Sequence, residues 1–346
     1  MKFLQRSAVA FVMLATASVC FARSWQVNNN PNVIADFTDI NAAMSSADVV
    51  AGDTLYIGAG AVLGAQTITK AVTVIGTGWD YNDSPAVPGK INGNITLSAD
   101  GIKLLGIYVS GTAYVKSSNI TLERCFIGST IAQSINQLTD NVRILSCRFA
   151  GLNANDNKYN SAWEIRNNII QGTQSTKTGF IRDLYNATVM NNVIVSNNVA
   201  NSEHYFIYNC NYSVFKNNVL YCIGNTDVTV NEPKYFFNNC TSSIITNNVM
   251  SLASSAASSY PNNIFTDSTD RAVVFKCAGS ASSGEYYSLK EDSPAIGAGE
   301  GGIDCGAMVG AYKFVPFGRP DNIPVIKELV VPSTPTNGEI NVTVGF

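Results

Sequence analysis

The chain has 346 residues, of which only 14% are charged, and a formal net charge of −3 at pH 7. Because basic and acidic residues are few and nearly balanced, the composition argues against binding to nucleic acid or to an anionic membrane surface. The low charge, the 27 glycines and the many β-branched runs are typical of an all-β protein and argue against a helical or disordered chain.

Residues 1–22 predict a secretory signal peptide. Two basic residues precede an apolar run over 8–19, and small residues stand three and one before the bond that follows Ala22. A lipid attached at Cys20 is a less favoured alternative, because a branched residue precedes it. No other stretch reaches the roughly 18 apolar residues of a transmembrane segment. We therefore expect a secreted protein, extracellular or at the cell surface, with the periplasm as an alternative.

A short amphipathic helix is the next predicted element. Five apolar residues recur there at helical spacing: Phe37, Ile40, Ala43, Met44 and Ala47. Two strand-like runs follow at 52–57 and 72–76. A helix laid across the first strands would cover apolar surface and an open strand edge.

The centre of the chain is a repeat. Six register marks recur at intervals of 22, 21, 24, 26 and 30 residues: Cys125, Cys147, Asn168, Asn192, Asn218 and Asn248. The residues three before and two after each mark are all apolar, whereas those two before it are mostly polar. This alternation predicts one buried and one solvated face, and a repeat of this length predicts a solenoid.

Four of these marks are the second residue of an Asn–Asn pair. Asparagine tolerates the left-handed backbone of a sharp corner, and its amide can bond the same amide one coil, or about 4.8 Å, away. We therefore predict that Asn168, Asn192, Asn218 and Asn248 form structural ladders.

A second aligned block lies twelve residues upstream of the last three marks. Its members begin at Phe180, Phe206 and Phe236, so that each coil contributes at least two strands. If these rings are exposed, they would stack on a sugar chain. The alternative is that the loops at 196–205, 222–234 and 251–262 fold back over them.

Two segments carry a resemblance to a known superfamily. The helix followed by 52–60 (GDTLYIGAG) resembles the opening of pectin-lyase-like proteins, and 287–299 (YSLKEDSPAIGAG) with 304–307 (DCGA) resembles their closing motif. The resemblance covers residues 33 to 312 and implies a single-stranded right-handed parallel β-helix in an exported bacterial, carbohydrate-related setting. We place this domain at 23–315, followed by a Pro-rich linker and β-hairpin tail at 316–346.

The resemblance implies two enzyme classes, and the residues favour a lyase over a hydrolase. Hydrolysis requires paired carboxyls, and the body of the chain has no Asp–Asp pair. The polygalacturonase-like Gly-His-Gly motif is also missing, since the only histidine is His204. A lyase would need a basic residue and Ca²⁺ or cationic side chains facing a uronate. Apart from that alternative we predict no cofactor or metal.

Six residues make up the predicted ligand-binding face: Arg166, Arg182, Asp183, His204, Tyr208 and Lys216. Arg166 and Lys216 share an outward column, while Arg182 and Asp183 belong to a neighbouring strand. A solvated residue at the start of a strand is the simpler interpretation of His204. No catalytic residue is predicted.

The cysteines favour one disulfide at most. Cys125 with Cys147, and Cys210 with Cys240, share register positions, but side chains running parallel in a ladder rarely reach disulfide torsions. Cys277 and Cys305, both near the C-terminal end, are the predicted bond in an oxidising compartment.

We therefore expect a monomeric, exported β-helix that binds polysaccharide along one face without clear catalytic machinery. The alternatives are a polysaccharide lyase acting on a uronate-containing glycan, and a structural or adhesive cell-surface module.

Overall fold

The computed structural model describes most of the chain: residues 22–79, 88–133, 137–154, 160–173, 179–224, 231–278 and 285–319, and the backbone of two short strands at 328–330 and 343–345. All of the predicted signal peptide except Ala22 lies outside the described residues, as does most of the tail after Arg319.

The body is a parallel β-helix with three faces per coil, confirming the predicted fold class. Ten strands stack in parallel to form the first face. In stacking order they are β1 (Ser24–Val27), β2 (Thr54–Ile57), β5 (Thr73–Ile75), β8 (Lys103–Leu105), β11 (Thr121–Glu123), β14 (Arg143–Leu145), β17 (Glu164–Arg166), β20 (Thr188–Met190), β23 (Val214–Lys216) and β26 (Ile244–Thr246).

The second face follows the first in the coils that begin with β2 to β26. Its strands are β3 (Val62–Leu63), β6 (Lys90–Ile91), β9 (Tyr108–Val109), the first halves of β12 (Phe126–Gln133) and β15 (Arg148–Asn153), β18 (Ile169–Gly172), β21 (Val193–Ser196), β24 (Val219–Cys222), β27 (Val249–Met250) and β28 (Ile264–Phe265).

The third face closes each coil. Its strands are β4 (Gln66–Ile68), β7 (Ile95–Leu97), β10 (Ala113–Val115), the second halves of β12 and β15, β19 (Ile181–Arg182), β22 (Ile207–Tyr208) and β25 (Phe237–Asn238). The short parallel pair β13 (Thr139–Asp140) and β16 (Asn160–Ser161) lies just before the next first-face strands.

Helices are few and short among the described residues. The two α-helices are α1 (Ile40–Ser45) and α2 (Pro233–Phe236). The 3-10 turns span Ser254–Ser258, Arg271–Val273, Glu285–Tyr287, Glu300–Gly302 and Pro316–Gly318. In the tail, the antiparallel pair β29 (Glu328–Val330) and β30 (Thr343–Gly345) agrees with the predicted hairpin.

Aligned aliphatic columns fill the interior. The apolar residues three before and two after the register marks are almost all buried, as predicted, for example Leu122, Ile144 and Val189 on the first face and Ile170 and Ile194 on the second. They lie on two different faces because the chain turns at the Asn–Asn pair. The coils from β2 to β25 therefore have three strands each, one more than the minimum that the repeat predicted.

The two residues of each Asn–Asn pair have different roles at this corner. The first asparagine adopts the left-handed backbone, with φ of 56°, 55°, 57° and 56° at Asn167, Asn191, Asn217 and Asn247. The second is fully buried and forms the ladder, with Nδ2 to Oδ1 distances of 2.9 to 3.0 Å between successive coils. Backbone carbonyls accept the second amide hydrogen, so that each buried amide is satisfied.

The helix α1 closes the first coil, as predicted. Ile40, Ala43 and Met44 enter the interior core. The side chain of Asn41 accepts from the amide of Thr67 at 2.9 Å and donates to the carbonyl of Ala65 at 3.1 Å. The helix thus covers the free edge of β4.

Residues 295–319 form an extended segment, here called the strap, that runs back along the corner between the first and second faces. The Cys305 thiol donates to the carbonyl of Asn247 at 3.2 Å, and the Gly306 amide donates to the carbonyl of Asn217 at 2.9 Å. Further along, the Arg124 guanidinium donates to the carbonyl of Arg319 at 3.0 Å. The strap therefore crosses the coils in the reverse of their order.

The strap and the segment before it bury the outer surface of the second face. Val193, Val219 and Tyr221 point outward there, yet they are 0% exposed because Phe275, Phe314 and neighbouring residues pack over them. These outward positions of the second face are therefore covered.

Candidate functional site

The outer surface of the third face carries an aligned column of polar and aromatic side chains. Strand register places Asn153, Arg182, Tyr208 and Asn238 at equivalent positions on successive coils. Their inward neighbours Leu152, Ile181 and Ile207 are buried, and the column itself is half-buried. Alternation along β15, β19 and β22 thus points Arg182 and Tyr208 outward together.

A cavity of about 310 Å³ opens beside this column. Its lining is mostly small and polar: Ser129, Thr130, Ala150, Gly151, Leu152, Asn153, Thr173, Gly179, Phe180 and Arg182. This volume lies at the lower end of the range of small-molecule pockets, about 300 to 1,000 Å³. Gly179 also touches the next member of the column, since a Cβ at this glycine would lie 2.5 Å from the Cβ of Tyr208.

Three tyrosines continue the cavity along the face. The ring of Tyr205 stacks between Tyr208, at 5.0 Å and 14°, and Tyr235, at 5.5 Å and 18°. All three are half-buried, and the Lys234 ammonium lies 4.8 Å from the centre of the Tyr235 ring. We call the cavity and this tyrosine stack together the third-face groove.

Tyr205 and Tyr235 were not among the predicted face residues. The sequence contained a signal for their shared position, because each tyrosine directly precedes one of the aligned phenylalanines, Phe206 and Phe236. The phenylalanines themselves are buried, with rings 4.7 Å apart, and Phe180 stacks on Phe206 at 5.9 Å. Of the two alternatives for these rings, burial is therefore confirmed and an exposed column is wrong.

Asp183 lies beside Arg182 but belongs to a corner ladder. Its backbone has φ of 63°, and its carboxylate accepts from the Asn209 amide at 2.7 Å. The Asn209 oxygen in turn accepts from Asn239 at 2.9 Å. The Arg182 guanidinium is 3.9 Å from the Asp183 carboxylate, an arrangement that holds the cation at the rim of the cavity.

Arg166 and Lys216 lie on the first face, on a different side of the coil from Arg182. Arg166 pairs with Glu164 at 2.5 Å, and Lys216 pairs with Glu300 of the strap at 2.7 Å. The shared column predicted for them is present in the strand register. The six predicted face residues therefore do not form one site.

Glu164 is held between two arginines. Its other oxygen accepts from Arg143 at 2.7 Å, and Arg143 also donates to the Tyr312 hydroxyl at 2.8 Å. The hydrogen bond to Glu164 raises the pKa of the Arg143 guanidinium, with a smaller contribution from Tyr312. The network fastens the strap to the first face.

His204 stands in a tight loop beside the tyrosine stack. Its backbone exchanges hydrogen bonds of 3.1 Å with Asn201, and Tyr205 follows it directly. The structure thus brings Arg182 and Tyr208 to the third-face groove, while Asp183 and His204 are sequence neighbours of groove residues.

The predicted bond between Cys277 and Cys305 is corrected by the structure, in which both thiols are free. Cys305 contacts the carbonyl of Asn247, and burial raises the pKa of its thiol to about 12. Cys277 instead hydrogen-bonds with Tyr286, which raises the pKa of that phenol. The ladder cysteines are also free, as predicted, and burial raises the pKa of Cys147 and Cys210.

Among the described residues, no group of three or more His, Cys, Asp or Glu side chains could hold a metal ion. Within the same part of the chain, no helix combines the length and apolar character needed to cross a membrane. No protein-family model matches the chain, and a search of curated proteins finds no significant match.

Proposed function

We propose that the protein binds a polysaccharide along the third-face groove without cleaving it. The observation that carries this proposal is the three-ring tyrosine stack next to a polar cavity with Arg182 at its rim.

Sugar rings combine apolar C–H faces with hydroxyl edges, and the groove offers a partner for each. Tyr208 forms the end of the stack next to Gly179 of the cavity, and the negative face of an aromatic ring attracts C–H groups. In the cavity, Thr130, Asn153 and Thr173 supply hydroxyl and amide groups that suit hydroxyl edges. Successive coils repeat at about 4.8 Å, which favours an extended chain over a single sugar.

A lyase acting on a uronate-containing glycan remains the alternative, with Ca²⁺ as its possible cofactor. That chemistry was expected to use cations converging from Arg166, Arg182 and Lys216. Their placement on two faces supports binding over catalysis, since one bound sugar could not contact all three.

Membership of the pectin-lyase-like superfamily and export from the cell are also part of this proposal. They are supported by the parallel β-helix together with the opening and closing segments of the sequence. Export as a monomer would place the groove where extracellular glycans occur. A structural or adhesive module is the remaining alternative.

The test is retention of the protein in gels that contain pectins, alginates, glycosaminoglycans or neutral glucans. We expect retention by at least one glycan, and Tyr208→Ala should weaken that binding about tenfold, which corresponds to about 1.4 kcal/mol. The matched control is Tyr185→Ala, an exposed tyrosine at another corner, which should leave binding unchanged.

Three results would contradict the proposal. Equal losses of glycan affinity in Tyr208→Ala and Tyr185→Ala would place the binding site outside the groove. No retention by any glycan of the panel would favour a structural role. Ultraviolet absorbance of an unsaturated uronate, measured on the same mixtures, would favour the lyase.

A further inference from the structure

Asp53 is a fully buried carboxylate at the first coil, remote from the third-face groove. It is 0% exposed and follows Gly52 directly before β2. Its Oδ1 accepts from the backbone nitrogen of Arg23 at 2.7 Å. Its Oδ2 accepts from the Trp25 indole at 2.8 Å and from the amide of Val50 at 3.0 Å.

These donors are neutral groups, which is unusual for a buried charge. Buried carboxylates are generally paired with a cation, because an isolated charge is strongly disfavoured away from water. Among the described ion pairs, none includes Asp53. Burial alone would raise the pKa of Asp53, but the hydrogen bonds donated by Arg23, Trp25 and Val50, with a smaller contribution from the charge of the Arg23 side chain, outweigh it and lower the pKa.

We infer that Arg23 is the first residue of the mature protein and that its free α-ammonium group forms the direct ion pair that Asp53 lacks among the described residues. Hydrolysis by an export-associated endopeptidase adds water across the Ala22–Arg23 peptide bond. Ala22 leaves with the new carboxylate, and the released amine of Arg23 takes up a proton. The nitrogen that is an amide donor before cleavage then carries a full positive charge 2.7 Å from Oδ1.

The surroundings of the Arg23 nitrogen suit both the cleavage and the ion pair that follows it. Ala22 and Arg23 are exposed, so the bond between them is open to a protease. The carbonyl of Arg23 accepts from the amide of Thr54 at 2.8 Å, which begins the pairing of β1 with β2. Cleavage would thus add an ion pair to the strand that closes the first coil.

Three other charged groups lie on the elements around Asp53. The Arg23 guanidinium lies 6.0 Å from the centre of the Trp25 ring, and Asp48 is exposed on the preceding turn. The Lys70 ammonium donates to the carbonyls of Ser46 and Val49. The α-ammonium is therefore the group best placed to neutralise Asp53.

The first test is to express the full precursor, recover the exported protein and determine its N-terminus by intact mass and terminal sequencing. We expect a chain that begins at Arg23. A chain that begins elsewhere, or an uncut precursor, would overturn the inference.

The second test measures the amine itself. After reductive ¹³C-methylation, a nuclear magnetic resonance titration should give the Arg23 α-amine a pKa well above the ordinary range of a terminal amine. Asp53→Asn should return it to that range. An ordinary pKa in the unchanged protein would show that Asp53 does not hold the amine.

The third test needs no change at Asp53, in case Asp53→Asn does not fold. One chain begins at Arg23 and the other carries one extra N-terminal glycine. Because a raised amine pKa stabilises the fold only below its folded value, the extra residue should lower Tm by about 2 to 4 °C at neutral pH and have no effect once the pH exceeds that value. Equal Tm values at neutral pH would refute the ion pair.

Discussion

The outer surfaces of the second and third faces are built from the same alternating strands, yet one is covered and the other is open. On the second face, Val219 and Tyr221 point outward into a second apolar core under the strap. On the third face, Arg182 and Tyr208 occupy outward positions and remain half-buried at the surface. An outward position in a β-helix thus serves packing where another segment covers it, and recognition only where it stays open.

Replacing one tyrosine on each of these two faces should give the largest difference in the loss of folding stability. Tyr221→Ala should destabilise the protein by about 3 to 5 kcal/mol, because it empties a fully buried site and removes the partner of the Thr266 hydroxyl. Tyr208→Ala should change stability by about 1 kcal/mol or less, because its ring is partly solvated. Urea denaturation measures both. Similar losses for the two variants would mean that the third face is covered as well.

A smaller difference in stability is expected between two asparagines at the corner under the strap, Asn167 and Asn191. The Asn167 side chain donates to the strap carbonyls of Ala307, at 3.1 Å, and Val309, whereas within the described residues the buried Nδ2 of Asn191 has no hydrogen-bond partner. Both backbones are left-handed, so alanine should cost about 1 kcal/mol at either position. Asn167→Ala should cost about 1 kcal/mol more, through the lost hydrogen bonds.

Chemical denaturation and limited proteolysis of the strap provide the readout for this pair. Asn167→Gly serves as the backbone control, since glycine accepts the left-handed conformation. If Asn167→Ala and Asn191→Ala lose the same stability, the side-chain bonds to the strap contribute nothing measurable.

The ion pair between the strap and the first face should have the smallest effect. Lys216→Met removes the 2.7 Å contact with Glu300, whose side chain is 57% exposed. Since solvent screens such a pair, we expect a loss of at most about 1 kcal/mol that shrinks further in high salt. Thermal denaturation at low and high ionic strength tests this. A larger, salt-independent loss would indicate that Lys216 acts mainly through packing.

Local pattern explains most of what could be predicted about the fold. Apolar columns such as Ile144 and Ile165 follow from alternation within each strand, and the Asn168 ladder follows from repetition at one register position. The first-face and second-face strands of each coil were not separated, because the apolar pattern reads as continuous across the left-handed turn at Asn167.

The groove was only partly predictable. Arg182 and Tyr208 were selected from their aligned block, whereas Arg166 and Lys216 were grouped with them because a sequence repeat does not reveal which face a column occupies. The burial of Phe206 was undetermined for the same reason. Contacts of the strap, such as that between Arg124 and Arg319, join positions 195 residues apart and leave no local signal.

The reversed course of the strap also bears on how the coils hold together. In most solenoids each unit touches only its neighbours, so that opening can begin at either end and spread unit by unit. Here one segment is bonded in turn to Asn247, Asn217, Asn167 and Arg124, so that no coil between them can open alone without loosening a tether shared with the rest. The strap thereby converts a stack with pairwise coupling into a single cooperative unit across those coils.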